Sequence, residues 1–235
     1  MKILIVSQYF WPENFRINEL AEGLSKIGHK VTVLTGYPNY PKGDIYLDFK
    51  NNKKKYNNYR GIEIIRVPIL PRKNNKLNLL LNYLSFSFNS ILIGYFKLRK
   101  KNFDIVFTFQ LSPVTVGITS AFFSKIKKCP QIFWVLDLWP DTLEALDILK
   151  KKWQLNLFKI LINWIYKKCD LILAQSKMML KEIKKYPSIN NNAIYFPSWG
   201  DSNLFLNANK AAKEIEKKNI FTIIFAGNIG EAQDF

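Results

Sequence analysis

The chain has 235 residues, of which 48% are hydrophobic, and its 35 Lys and Arg outnumber 18 Asp and Glu to give a formal net charge of +17. This hydrophobic content is enough for a well-buried core and excludes a wholly disordered chain. The two cysteines (Cys129 and Cys169) and the single histidine (His29) exclude a zinc site and argue against a disulfide framework, so we expect a cytoplasmic protein.

The first predicted element is a strand, KILIV at 2–6, whose apolar run is too short for a signal peptide. NELAEGLSKIG at 18–28 has helical spacing and ends on a glycine, and KVTVLT at 30–35 is the next strand. Strand, helix and strand in this order form a βαβ unit with a right-handed crossover.

Further short apolar runs continue this alternation. Strands are predicted at 62–69, 103–109, 130–139, 170–176 and 192–197, and helices at 113–126 and 176–186. The segment 36–61, rich in Pro, Gly, Asn and Tyr, is predicted to be a long loop. The sequence therefore predicts an α/β fold built on a doubly wound parallel sheet.

Two helical segments combine wide apolar faces with narrow polar stripes. The uncharged stretch 77–96 is long enough to cross a membrane, but its polar residues share one helical face. These residues are Asn78, Asn82, Ser85 and Asn89. The segment 152–168 repeats the pattern with Lys152, Asn156, Lys159 and Asn163.

Aromatic residues and flanking lysines on such helices are typical of a membrane interface. The residues predicted to contact lipid are Trp153, Phe158 and Trp164, together with Lys100 and Lys101. The alternative is that both helices pack on the sheet. For the first helix, one buried edge and one edge on lipid is favoured over a membrane-spanning helix.

The net charge favours a polyanionic partner such as nucleic acid, an anionic bilayer or phosphorylated small molecules. Lys and Asn are abundant throughout, including the run KNNKKKYNNYR at 50–60, so much of this charge equally suits a solvated surface. No nucleic-acid-binding motif accompanies the charge, and no nucleic-acid partner is predicted.

Parallel sheets bind ligands beyond the carboxyl ends of their strands, so the residues after each strand are the site candidates. After the first strand comes SQYFWPENFR, with Tyr9, Glu13 and Arg16. This loop lacks the glycines of a dinucleotide fingerprint, which excludes a standard NAD site.

After the second strand comes GYPNYPKG, with Tyr37, Asn39 and Tyr40. Alternating aromatic residues and prolines suit stacking on a sugar or another ring. An ordinary irregular turn explains the same composition.

The run QIFWV is followed by LDLWPDT, which places Asp137 at a strand's carboxyl end and Asp141 at the start of a helix. A carboxylate at the first position can orient a hydroxyl or accept its proton. Asp141 has the same chemistry, or serves only to cap its helix.

The last stretch, FTIIFAGNIGEAQDF, is typical of a strand that enters a phosphate-binding turn. Gly227 and Gly230 would let backbone amides approach a phosphate there. A Gly-x-x-Gly alone is weak support for such a site.

Taken in order, five motifs resemble glycosyltransferase family 4, with the closest likeness to amino-sugar transferases of L-fucosamine transferase type in O-antigen, capsule and colanic-acid pathways. The motifs are MKILIVSQYFWPENFRINELAEGLSKIGHKVTVLTGYPNYPKG, LSPVTVG, DLWPD, PSWGDSNLF and FAGNIGEAQDF. The likeness extends over essentially the whole chain.

The resemblance implies the GT-B fold, in which two Rossmann-like domains face a cleft and no metal or other cofactor is required. The N-terminal domain mostly binds the acceptor, often a polyprenyl-diphosphate-linked sugar at the inner face of the plasma membrane. The C-terminal domain binds the nucleotide-sugar donor, expected here to be UDP-linked. A peripheral location on that membrane face would account for the basic, amphipathic helices.

The same likeness implies roles for the candidate residues. Tyr9–Arg16 and Tyr37–Gly43 would shape the acceptor side, with Asp141 beside them, and Asp137 would be the catalytic residue facing the transferred sugar. The donor diphosphate would be approached by Gly227, Asn228 and Gly230.

The chain also departs from the family pattern. The first loop lacks the paired glycines of many relatives, and the paired-glutamate motif that holds the donor is absent. We expect an acceptor-side domain at 1–202, a linker at 203–219, and at 220–235 the first strand and loop of a truncated donor domain. This chain alone would then be inactive or nearly so, and a separate C-terminal half is a possible partner.

The function expected from sequence is transfer of a hexose or an N-acetylated amino sugar from a nucleotide sugar to a lipid-linked or polysaccharide acceptor in cell-surface polysaccharide biosynthesis. The alternative is a non-catalytic membrane-surface binding or scaffold module derived from such an enzyme.

Overall fold

The computed structural model describes residues 1–72, 76–145, 151–200, 221 and 223–226. The chain divides into two compact units, Met1–Phe196 and Pro197–Phe235. All helices and strands assigned among the described residues belong to the first unit. The predicted linker and glycine loop lie outside the described residues, and residues 221 and 223–226 of the predicted last strand are not in a strand.

Within the described residues, the strands form one eight-stranded sheet in the order β3-β4-β2-β1-β5-β6-β7-β8. Neighbouring strands are parallel except for the antiparallel pair β3 and β4 at one edge. The strands are β1 Lys2–Val6, β2 Lys30–Gly36, β3 Asn58–Tyr59, β4 Ile62–Val67, β5 Ile105–Gln110, β6 Gln131–Val135, β7 Leu171–Ala174 and β8 Ala193–Tyr195.

Helices connect most of these strands. They are α1 Arg16–Lys26, α2 Leu47–Asn51, α3 Lys76–Leu98, α4 Val116–Lys127, α5 Asp141–Ala145, α6 Lys152–Lys167 and α7 Lys177–Ile183. A short 3₁₀ helix, Lys53–Asn57, follows α2. The predicted doubly wound α/β fold is therefore confirmed.

The central strand β1 is a continuous apolar run because both of its faces are covered, and Leu4, Ile5 and Val6 are fully buried. Its neighbours are β2 on one side and β5 on the other. The chain therefore leaves β1 in one direction and returns on its other side at β5. A ligand crevice is expected beyond the carboxyl ends of β1 and β5 at such a reversal of strand order.

One face of the sheet is covered by α3, α4 and α6, since α4 contacts both of the other helices. Gly117 makes the α4–α6 contact possible: a Cβ at this position would lie 2.5 Å from Ile165 Cγ2 and 2.9 Å from Phe133 Cε2. The side chains of Phe86 from α3 and Phe123 from α4 pack with those of the central strands in one core cluster.

The segment 36–61 differs from its prediction as a long loop, because it contains α2, the 3₁₀ helix and β3. Phe49 and Tyr56 are both buried and their rings pack 5.7 Å apart. These two anchors order a stretch whose composition is otherwise that of a loop. Smaller differences are that α1 begins at Arg16 and β6 ends at Val135.

The polar stripe of α3 faces the protein rather than water. Asn82 is fully buried; its Nδ2 donates to the Leu70 carbonyl, and its Oδ1 accepts from Gln8 Nε2 at 2.6 Å. Ser85 Oγ accepts from the Leu70 N–H at 2.9 Å, and Asn89 Nδ2 donates to the Pro68 carbonyl at 2.8 Å. The stripe therefore satisfies backbone groups that the end of β4 leaves unpaired.

The outer side of α3 is apolar as a result. The exposed apolar and aromatic residues on it include Leu80, Leu81, Leu84, Phe88, Leu92, Tyr95 and Phe96. By length and composition alone the segment Asn78–Leu98, with a mean hydropathy of 1.3, could cross a membrane. Its inward hydrogen bonds and its packing on β2, β4 and α4 place it on the sheet, with one edge buried and one edge exposed.

Candidate functional site

A cavity of about 710 Å³ lies beyond the carboxyl ends of the central strands. It is lined by residues that follow β1, β2, β4, β5 and β6 and by residues near the starts of α3 and α6. Most of the lining surface is apolar. Its polar side chains include Tyr9, Tyr40, Arg72, Tyr83, Ser112, Asp137, Thr142 and Gln154.

Two predicted acceptor residues, Tyr9 and Tyr40, form an aromatic wall of this cavity with Phe15. The ring centroids are 5.4 Å apart for Tyr9 and Phe15, 5.7 Å for Tyr9 and Tyr40, and 5.1 Å for Phe15 and Tyr40. The loops that follow β1 and β2 therefore meet at this wall.

Glu13 lies beneath this wall and not on the cavity surface. Its side chain is 2% exposed; Oε1 accepts from the backbone N–H groups of Asn39 at 2.9 Å and Tyr40 at 2.8 Å, and Oε2 accepts from Phe10 N–H at 3.3 Å. Burial raises the pKa of Glu13 to about 7, although these backbone donors oppose the rise. Its contacts hold the two loops in register, which is a positioning role.

Asp137 is on the cavity wall, at the carboxyl end of β6. Its Oδ2 accepts from Ser112 Oγ at 2.7 Å, and the Ser112 hydroxyl in turn accepts from Trp139 Nε1 at 3.2 Å. Gln110 Nε2 donates to the Asp137 carbonyl at 3.1 Å. These contacts join the end of β5 to the segment after β6. They fix the carboxylate where it can accept a hydrogen bond from a hydroxyl of a bound ligand.

Two cavity residues, Arg72 and Tyr83, were not found by sequence reasoning. Arg72 follows β4, and its guanidinium carbon lies 5.7 Å from the centroid of the Tyr40 ring. Burial raises the pKa of Tyr83, while the charge of Arg72 lowers it and that of Asp137 raises it. The position of Arg72 just after a strand's carboxyl end was the available signal, as it was for Asp137.

Other predicted acceptor residues lie away from the cavity. Arg16 pairs with Glu19 at 2.9 Å at the start of α1. The Tyr37 ring packs on Phe49 at 4.7 Å, and Asn39 is fully buried. None of these side chains lines the described cavity.

Asp141 is exposed at the first position of α5, outside the cavity, whereas the next two residues, Thr142 and Leu143, are on the cavity wall. Its position suits interaction with the positive end of the helix. Gly227, Asn228 and Gly230, predicted to bind the donor, lie outside the described residues.

The predicted membrane residues fall into two groups. Trp153 and Phe158 line the cavity, and Trp164 is exposed farther along α6. Lys100 and Lys101 follow the other end of α3, beside Lys2 and Lys30 at the amino ends of β1 and β2. They are separated from the cavity by about 30 Å along α3, so the structure does not gather the five residues in one patch.

Within the described part of the chain, no three His, Cys, Asp or Glu side chains lie together in a way that could hold a metal ion. Transfer without a metal or another cofactor stays a prediction.

Solved structures share this architecture at low sequence identity. A sucrose-phosphate synthase from Thermosynechococcus elongatus matches with a TM-score of 0.51 and 11% identity over 89% of this chain and 96% of that one. A glycosyltransferase from Rickettsia africae matches with a TM-score of 0.51 and 16% sequence identity over 91% of this chain. LpCGTa, solved in complex with UDP, matches with a TM-score of 0.54 and 10% sequence identity over 87% of this chain.

The fold is that of the N-terminal Rossmann-like domain of GT-B glycosyltransferases. The family model described as Glycosyltransferase Family 4 matches residues 15–196, and the chain belongs to that family. By family it is a transferase of glycosyl groups.

This chain covers 46% of the Rickettsia enzyme and 55% of LpCGTa, about half of their length. No curated protein matches the sequence. The comparisons give no support to the alternative of a non-catalytic module.

Proposed function

We propose that residues 1–202 form the acceptor-side domain of a GT-B glycosyltransferase that transfers a hexose or an N-acetylated amino sugar to a lipid-linked acceptor in cell-surface polysaccharide biosynthesis. Residues 203–219 would be the linker, and 220–235 the start of the donor-binding domain. The observation that carries the proposal is the large cavity beyond β1, β5 and β6, whose lining is mostly apolar but includes a fixed carboxylate.

Two groups of lining residues suit the two parts of such an acceptor. Leu79 and Leu80 of α3 and Trp153 and Leu157 of α6 form an apolar side that suits a hydrocarbon chain. Asp137 is on the same cavity surface, where it accepts a hydrogen bond from Ser112 and suits the hydroxyls of a sugar. A ligand with both chemistries matches this lining better than a free sugar does.

In the proposed reaction, Asp137 accepts the hydrogen bond of the attacking acceptor hydroxyl and so orients its oxygen toward the donor sugar. The donor is proposed to be a UDP-sugar, in keeping with the two solved structures LpCGTa and TcCGT1, both described as complexes with UDP. Gly227, Asn228 and Gly230 are proposed to approach its diphosphate through backbone amides, which stabilise developing negative charge.

A peripheral location on the inner face of the plasma membrane is part of the proposal. The helices α3 and α6 lie in one layer with α4, and each exposes an apolar stripe beside the cavity. On α6 the stripe is Trp153, Leu157, Ile160 and Trp164, with the spacing of one helical face. A lipid chain could then enter the cavity from the bilayer, while lysines beyond the helix ends contact anionic head groups.

The test is binding of polyprenyl-diphosphate N-acetylglucosamine in detergent micelles to the whole 235-residue chain, measured by calorimetry. Leu157→Glu should weaken binding about tenfold or more, since a charge on the apolar wall is costly. Ile160→Glu is the matched control because both residues are on the outer side of α6, 56% and 67% exposed, and only Leu157 lines the cavity. Absence of saturable binding to the folded wild-type chain would overturn the proposal.

A further inference from the structure

The guanidinium of Arg72 is the most distinctive charged group in the cavity. The Arg72 backbone N–H donates to the Gly43 carbonyl at 3.0 Å, which ties the segment after β4 to the loop after β2. Its side chain then lies half-buried against the Tyr40 ring and close to the Tyr9 hydroxyl. Burial raises the pKa of Tyr9, and the charge of Arg72 opposes that rise.

Three other arginines in the described part of the chain have a carboxylate or carbonyl partner, and Arg99 stacks on the exposed Phe96 outside the cavity. Arg16 and Arg60 pair with Glu19 and Glu22. Arg66 is buried and donates to the carbonyls of Gly36, Tyr56 and Trp11. Arg72 has no carboxylate within 4.0 Å among the described residues, because none of the ion pairs there includes it.

A guanidinium carries five N–H donors in a planar fork. Stacking on Tyr40 covers one face of the Arg72 fork, and the Tyr9 hydroxyl is a neighbour of its edge, which leaves the remaining N–H donors for a ligand. The side chain borders a cavity whose lining surface is mostly apolar. A cation that has no carboxylate partner in such a lining favours an anionic ligand, because charge-assisted hydrogen bonds are stronger than neutral ones. Two N–H donors of the fork match two oxygens of one phosphate.

We propose that Arg72 binds the phosphate or diphosphate group that joins the sugar of the acceptor to its apolar chain. The inference rests on the proposed function and adds the orientation of the acceptor. The chain lies along Leu79, Leu80 and Leu157, the phosphate is at Arg72, and the sugar hydroxyls are at Asp137. The carboxylate of Asp137 repels an anion, so the reverse orientation is disfavoured.

The test uses short amphiphiles with the whole chain, by isothermal calorimetry. Farnesyl diphosphate carries both the chain and the anion, farnesol carries the chain alone, and myristate carries a carboxylate in place of the phosphate. Wild type should bind farnesyl diphosphate about tenfold or more tightly than farnesol and myristate, and added salt should reduce only this advantage.

The variant that tests the residue is Arg72→Gln, and Arg99→Gln is its control. Arg99 also stacks on an aromatic ring, at 5.9 Å from the Phe96 centroid, but lies outside the cavity. Arg72→Gln should weaken farnesyl diphosphate binding about tenfold and change farnesol binding less than twofold. Arg99→Gln should change neither.

The outcomes separate this inference from the proposed function. If neither farnesol nor farnesyl diphosphate binds wild type, the lipid-linked acceptor is wrong and the role of Arg72 falls with it. If both bind equally, or if Arg72→Gln binds the diphosphate as wild type does, the Arg72 inference alone is overturned. Myristate binding as tight as that of the diphosphate would reject phosphate as the group recognised. Should Arg72→Gln fail to fold, the wild-type affinity ratio and its salt dependence decide.

Discussion

Glu13 Oε1 accepts the backbone N–H of Tyr40 at 2.8 Å, so a buried carboxylate in the loop after β1 fixes an aromatic residue in the loop after β2. The same oxygen accepts from Asn39. Tyr40 then stands against Phe15 and Tyr9 at the cavity wall. The shape of that wall therefore depends on a carboxyl group that does not touch the cavity.

Glu13 should make stability depend on pH. Burial raises its pKa to about 7 from the ordinary 4.5, so the folded state binds the proton more tightly than the unfolded state. The contribution of Glu13 to the free energy of unfolding is fully present below about pH 4.5 and is lost as the pH rises through about 7. The loss is about 3 kcal/mol at most. Urea unfolding at pH values from 5 to about 8 measures this loss.

Glu13→Gln should flatten the loss of stability across this range because glutamine does not titrate. Glu19→Gln is the control, since Glu19 is on the surface of α1 and pairs with Arg16. Equal pH dependence of Glu13→Gln and wild type would assign the effect to another group.

Substitutions of Asp137 and Asp141 should have different effects on acceptor binding. Asp137→Asn removes a charged acceptor from the cavity wall and should weaken binding of polyprenyl-diphosphate N-acetylglucosamine about tenfold. Asp141→Asn should leave binding unchanged and lower stability by less than about 1 kcal/mol, because this exposed carboxylate lies outside the cavity at the start of α5. Calorimetric titration of both variants checks this, and a larger loss of binding in Asp141→Asn would contradict the assignment.

Gly117→Ala should destabilise the first unit by about 1–3 kcal/mol because its Cβ would collide with Ile165 and Phe133. Ile165→Ala combined with it should recover part of that loss by opening space. Gly23→Ala is the opposite control: nothing lies within 4 Å of a Cβ there, and alanine favours the helix. Thermal unfolding of the three variants and of Ile165→Ala alone gives the comparison, and a Gly117→Ala variant as stable as Gly23→Ala would refute it.

The exposed stripes of α3 and α6 should bind lipid vesicles. Replacement of Phe88, which is 67% exposed, and Trp164 by serine should lower partitioning onto phosphatidylglycerol vesicles about tenfold or more, through loss of buried apolar area. Ile27→Ser is the control, because Ile27 is equally apolar and exposed but follows α1. Sedimentation at low salt measures the bound fraction. Wild type that stays in the supernatant would exclude the peripheral location.

The fold could be read from the sequence because parallel strands covered on both faces are continuous apolar runs, as at Leu4–Val6. Asp137 was found by the rule that ligands bind at strand carboxyl ends. Arg72 follows the same rule because it comes after β4. Its backbone N–H is held by the carbonyl of Gly43, which is 29 residues away in the sequence, and no local sequence pattern reveals that contact.

Patterns located the polar stripe of α3 but not the direction in which it points. Asn82 donates a hydrogen bond to the carbonyl of Leu70 and accepts one from the side-chain amide of Gln8. These partners are distant in sequence and meet Asn82 only in the folded sheet. In the same way, composition grouped Lys100 with Trp153, although Lys100 lies near the amino ends of the strands and Trp153 lines the cavity beyond their carboxyl ends.

The inward polar stripe of α3 has a consequence for handling the protein. The amides of Asn82 and Asn89 and the hydroxyl of Ser85 form hydrogen bonds with other groups of the protein, so the side of the helix that meets solvent has few groups that hydrate well. The high net charge of +17 then has to provide the mutual repulsion that keeps molecules apart. We expect the purified chain to self-associate when salt screens that repulsion, and mild detergent to restore a single species in light scattering.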